Sequence, residues 1–247
     1  MTAPFVRELL ATNLGAIGPG FTEEECEASR EISLRVLQQL GADQPARQTK
    51  PPTARVLAAA VASHLAKELP MEAPGRRWTP FAGDRRRDVS GFQQYRHLPR
   101  RAAAMDADGA GALWAEWGTE WPPPPDVAVG LGEDELNIFL HAAITCLWAI
   151  EPEDVPAIKH QGTLLNRLRH GRQPHIVVVT AEMLPDRLAA LGSGTGEIDG
   201  IYHVALQELE VAVRSLGHPG QLSLLHELIN NDRVFDVGRL ASVIARY

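Results

Sequence analysis

Residues 139–180 read FLHAAITCLWAIEPEDVPAIKHQGTLLNRLRHGRQPHIVVVT, and the changes of period inside this stretch decide the fold. It opens with an apolar run over 139–150, breaks at Glu151-Pro152, continues as a helix-like segment over 155–170 and closes on the run 175–180. The closing run, His-Ile-Val-Val-Val-Thr, shows no polar alternation, which marks a strand buried on both faces. Upstream, prolines 122–125 end a polar segment. Proline has no N–H to give to a ladder, so a short strand is expected only after them, over 127–131. Downstream, a helix over 185–191, a strand within 198–206 and helices over 207–216, 220–229 and 237–246 follow. Strands alternating with helices predict an α/β protein with a central mixed sheet flanked on both faces.

The chain before this core reads differently. Thr22 is an N-cap with Glu25 as its reciprocal partner, and Ile32, Leu34, Val36, Leu37 and Leu40 carry the helix to Gly41. A second helix is expected over 53–69, with Val56, Leu57, Ala60, Val61, His64, Leu65 and Leu69 on one stripe. Proline, glycine and arginine make 70–89 an irregular loop, and 92–105 resumes as a helix bent at Pro99. The expectation is one domain over 1–247, with a helical N-terminal subregion (1–90) and a sheet-containing core (91–247).

Composition bounds the function. The 247 residues are 45 % apolar, enough for a sizeable core, and the net charge is −7. That balance disfavours nonspecific DNA binding by the chain as a whole. Cys26 and Cys146 are too few for a disulfide framework or a zinc cluster, and no apolar run approaches the roughly 20 residues of a membrane span. A cytoplasmic protein with no membrane partner and no cofactor motif is expected. The charge is nevertheless uneven. Arginines 76, 77, 85, 86, 87, 96, 100 and 101 face only Asp84 and Asp88 in their segment, and Lys159, Arg167, Arg169 and Arg172 form a second basic cluster. An anionic partner, or simply a solvated basic loop, accounts for such a pattern. Arg85, Arg86, Arg87 and Arg96 are the candidate DNA or anion contacts.

The stretch 140–175 resembles the core of the NgoMIV-type type II restriction endonucleases, of the PD-(D/E)XK superfamily. The similarity extends to Phe92-Gln-Gln-Tyr-Arg-His-Leu98, to Gly118-Thr119, to Pro125-Asp-Val-Ala-Val-Gly130, to Thr180-Ala-Glu182 and to Gly194-Thr-Gly-Glu197. The resemblance implies a restriction-endonuclease-like fold and a homodimer or tetramer. It also implies a magnesium site, built from carboxylates with a lysine that activates water or neutralises charge on phosphorus.

This sequence departs from that pattern at the positions that carry the chemistry. The metal-binding aspartate matches Asp126, but the lysine position is Leu147 and the downstream metal-linked glutamate is Gln161. Losing one such electrostatic contact costs about 3 kcal/mol, or roughly a hundredfold in rate. A further family glutamate falls near 57–60, where there is no carboxylate. The guanine-reading Arg-Ser-Asp-Arg motif is replaced by Glu151-Pro152-Glu153-Asp154, and acids repel phosphates.

Three readings follow. In the first, DNA cleavage is lost and the cleft binds or transforms a small organic molecule, with Asp126, Glu151, Asp154 and His160 as acid-base candidates. Tyr95, His97, Thr145, Leu147, Lys159 and Gln161 would then line the pocket. In the second, the chain is a pseudo-nuclease that binds DNA or pairs with an active paralogue. In the third, it is a nuclease whose lysine has moved to Lys159. Beside these stand plainer roles: Asp126 as a hydrogen-bonded remnant, Cys146 and Leu147 as core, and 151–154 as the acidic start of a helix. The glycines of 192–196 lack the Lys-Ser/Thr of a phosphate loop and read as a flexible turn.

Overall fold

β4 (His175–Thr180) is buried along its whole length at the middle of a six-stranded mixed sheet. The computed structural model describes residues 3–13, 22–41, 54–83, 89–100, 121–132, 137–194 and 196–247. The sheet runs in chain order: β1 (Trp78–Ala82), β2 (Val127–Gly132), β3 (Ile138–Leu147), β4, β5 (Gly200–His203) and β6 (Val234–Asp236). β1, β2 and β3 pair antiparallel, whereas β3 to β6 are parallel. The parallel half is linked through α4 (Asp154–Leu168), α5 (Pro185–Gly192), α6 (Leu206–Ser215) and α7 (Pro219–Asn230), and α8 (Leu240–Arg246) closes the described chain. This is the α/β architecture expected from the alternation of elements.

The N-terminal part supplies α1 (Pro4–Asn13), α2 (Glu23–Gln39) and α3 (Ala54–Glu72). The capping box of α2 forms as expected: Glu25 N–H donates to Thr22 Oγ1 at 3.2 Å and Thr22 N–H to Glu25 Oε2 at 2.8 Å. α3 lies across β1, β2 and β3 with α8 against it, burying Leu57, Val61, Leu65 and Leu69. Val56, placed on that stripe by the sequence, is exposed. The opposite face of the sheet is covered by residues 89–98 and by Leu165 of α4.

Two strands were not expected. The segment 70–89 contains β1, not only loop; among the described strands β1 pairs only with β2, so Pro80 is tolerated on a strand with one edge that needs no ladder. β6, of three residues, is too short to show a period. The expected helix over 92–105 begins instead as two 3-10 turns, Val89–Gly91 and Gln93–Tyr95, and is helical from 97 to 100; its remainder lies outside the described residues. β3 carries a bulge: Val129 pairs with Ala142 and Gly130 with Leu140, leaving His141 as the extra residue. The bulge aims His141 at α8, where its Nε2 lies 2.8 Å from the Ile244 carbonyl oxygen.

Candidate functional site

β2 begins immediately after the prolines, and this places Asp126 beside the C-terminal end of β3. One carboxylate oxygen of Asp126 accepts from Cys146 N–H at 2.8 Å. Burial raises its pKa, and the Cys146 N–H pulls the other way. Cys146 is fully buried on the core face, and burial, aided by Asp126, pushes its thiol well above the usual range, so it is a packing residue and no nucleophile.

Thr145 and Leu147 flank Cys146 and face the other way, as alternation requires. Thr145 Oγ1 donates to Gln161 Oε1 at 3.0 Å, and Gln161 Nε2 donates to the Pro123 carbonyl at 3.0 Å. The Gln161 amide is therefore buried and tied at both ends. Leu147 is partly buried and packs against the main core. Over 57–60, where the resemblance implied a further glutamate, α3 presents Leu57 and Ala58 buried, Ala59 exposed and Ala60 between.

The other candidates scatter. Lys159 reaches the C-terminal end of α5, its Nζ 3.4 Å from both Ala190 O and Ser193 Oγ. Its charge complements the dipole of α5. His160 is exposed on α4. Asp154 sits in the first turn of α4 and accepts from Glu151 N–H at 2.8 Å, while Glu151 is pushed above the usual carboxylate range, first by burial and then by Asp154 and Glu153. Tyr95 and His97, expected to line the cleft, lie at the far end of the sheet. Tyr95 is fully buried and donates to Leu165 O at 2.9 Å, with its hydroxyl held well above its ordinary pKa by burial. His97 stacks on His170. Arg96 is exposed beside them, and Arg85, Arg86 and Arg87 lie outside the described residues. The 192–194 turn is held by Arg233, which donates to Gly192 O and Gly194 O at 2.9 and 3.0 Å.

Glu182, noted in the sequence only as part of the resemblance, is the brace of this end. It is buried, accepts from Ile150 N–H at 2.7 Å and Leu184 N–H at 2.8 Å, and so ties the loop after β3 to the loop after β4. Burial pushes its pKa up to about 7 against the pull of these N–H groups. His203, fully buried, is pushed down to about 4; its Nδ1 accepts from Ala205 N–H, so its Nε2 carries the proton toward Glu182 O at 2.8 Å.

Magnesium, implied by the resemblance, does not fit these residues. One carboxylate with an oxygen already engaged, a neutral amide tied at both ends and a leucine are not the anionic oxygen set that ion takes. Among the described residues no three His, Cys, Asp or Glu side chains group as a metal site requires. No helix among them is long and apolar enough to cross a membrane.

A mixed sheet with helices on its faces and a carboxylate at the start of β2, beside the end of β3, defines the class: a restriction-endonuclease-like fold. Residues 131–245, from the end of β2 to α8, match the family model of the NgoMIV restriction enzyme. The chain is also 35 % identical over 185 residues to the type II restriction enzyme NgoMIV of Neisseria gonorrhoeae, which covers 64 % of this chain and 64 % of that enzyme. Leu147 and Gln161 fall inside the matched core, while Asp126 precedes it.

Proposed function

We propose that this protein is a non-cleaving relative of the restriction endonucleases, a binding protein whose partner is duplex DNA. The observation that carries the reading is the Gln161 amide, fixed between Thr145 Oγ1 and Pro123 O at 3.0 Å each beside an apolar Leu147. Such a centre holds neither the charge to bind a divalent cation nor the ammonium to stabilise a pentavalent phosphorus. A small organic ligand draws no support from this geometry: Leu147, partly buried, packs against the core, and Thr145 and Gln161 pair with each other. DNA as partner is supported by the kinship with an enzyme named for restriction and by the basic segments of the chain.

Titration of the protein with a GC-rich duplex at low salt with Mg²⁺, reading anisotropy and strand integrity in the same samples, tests this. Saturable binding with intact strands is expected. Cleavage overturns the non-cleaving assignment, and absence of binding overturns DNA as the partner.

A further inference from the structure

Parts of the two basic clusters, Arg96 and Arg100 of the first and Arg167 and Arg172 of the second, come to one end of the sheet, and a buried glutamine joins their segments. Gln94 Nε2 donates to Leu140 O at 2.8 Å and to Arg172 O at 3.3 Å, and its Oε1 accepts from Leu140 N–H at 2.9 Å. Its backbone carbonyl accepts from His170 N–H at 2.9 Å. These bonds lay the segment 94–97 along 165–172 and bring the His97 and His170 rings into a stack, 3.6 Å between centroids and 5° between planes. Within three residues of the two stacked histidines along the chain are Arg96, Arg100, Arg167 and Arg172, all exposed.

The surrounding sequence offers these cations little compensation. Neither 89–100 nor 160–175 contains an aspartate or glutamate. The ion pairs between described residues, His175–Asp199, Arg187–Glu25, Arg214–Glu210 and His226–Glu210, involve none of the four arginines. Asp199, the acid that reaches this end, is engaged by Ile176 N–H at 2.7 Å, and Arg172 donates to the Tyr247 backbone oxygen at 3.0 Å. Several like charges with the one carboxylate of Asp199 near them still repel one another and favour an anion between them. Arginine forks match phosphate oxygens, and a spread of exposed arginines over two segments suits a row of phosphates better than a single one.

The position is as informative as the charge. Gln94 grips Leu140, whereas Asp126 grips Cys146, six residues further along β3 and so about 20 Å away. The Asp126 end carries Glu151, Glu153 and Asp154, which repel a backbone. We infer that the protein holds the phosphate backbone of nucleic acid at the Arg96–His97–His170–Arg172 end of the sheet, opposite the end where its relatives' chemistry resides. The inference rests on DNA being the partner and names the surface that takes it.

The test is fluorescence anisotropy with a duplex of about 20 base pairs across a range of KCl concentrations, comparing the protein with the double variant Arg96→Gln/Arg167→Gln and with Lys159→Gln at the other end. The slope of log K against log[salt] is about −0.9 per phosphate contact, so the double variant is expected to lose close to two units of slope and bind at least tenfold more weakly at moderate salt. Lys159→Gln is expected to bind as the parent does. His170→Glu, an exposed change that sets a carboxylate among the arginines, is expected to weaken binding further. If the parent binds and both patch variants bind equally well, this surface is wrong while DNA remains the partner. If the parent does not bind duplex at any salt concentration, DNA as the partner fails, and this surface with it.

Discussion

Replacing Glu182 by glutamine should change the pH dependence of folding in a way that can be worked out from its surroundings. The carboxyl titrates near 7 in the folded protein against 4.5 for an ordinary glutamate, because burial outweighs the two N–H groups that it accepts from. Between these values the folded state holds a proton that the unfolded chain has released. Stability from this group is therefore complete below about pH 4.5 and is lost as pH rises through 7, at about 1.4 kcal/mol per pH unit and about 3 kcal/mol in all. His203 works in the opposite sense. Its folded value near 4 lies below the ordinary 6.5, so its contribution is lost as pH falls from about 6.5 toward 4. The two nearly cancel between pH 4.5 and 6.5 in the parent, and Glu182→Gln unmasks the histidine. Urea unfolding of both proteins at half-unit steps from pH 4.5 to 8 measures this, and subtracting one curve from the other removes every other titrating group. The difference in stability, parent minus variant, should fall by about 3 kcal/mol across the range. A difference that stays flat with pH would refute the reasoning, since it would mean that Glu182 is already ionised at pH 5.

Gly162→Ala should destabilise by about 1–3 kcal/mol, because a Cβ there runs into the Glu197 backbone carbonyl, and chemical denaturation will read the loss. Thr22→Ala removes the cap of α2 and should cost about 1 kcal/mol in the same assay, with Thr22→Ser retaining most of it. Thr145→Val keeps the strand-compatible shape but strips the donor from the Gln161 oxygen, for a loss of about 1–3 kcal/mol that Gln161→Leu in the same chain should partly relieve.

Local chemistry was legible in the sequence, and long-range pairing was not. The capping box of α2 and the unbroken valines of β4 are written within a few neighbouring residues, and both form as read. β1 was missed because Pro80 speaks against a strand unless the strand is known to lie at an edge, which only the pairing with β2 reveals. The substitutions at 147 and 161 were visible as residue types. That Gln161 is fastened to Thr145 and Pro123, and that Lys159 turns to α5, depends on partners brought near only by folding. Tyr95 and His97 were grouped with the Asp126 centre because both belong to segments sharing the same resemblance. Gln94 instead anchors that segment to Leu140, at the other end of β3.

The central claim is that the centre at Asp126 lacks the charge to cut DNA, and relaxation of supercoiled plasmid in Mg²⁺ measures it most directly. The parent protein should leave plasmid intact. Leu147→Lys/Gln161→Glu restores an ammonium and a second carboxylate beside Asp126 and should introduce Mg²⁺-dependent nicking that is lost on further change of Asp126→Asn. Nicking by the parent that disappears in Asp126→Asn would contradict the account, for it would show that this aspartate still serves a working metal site.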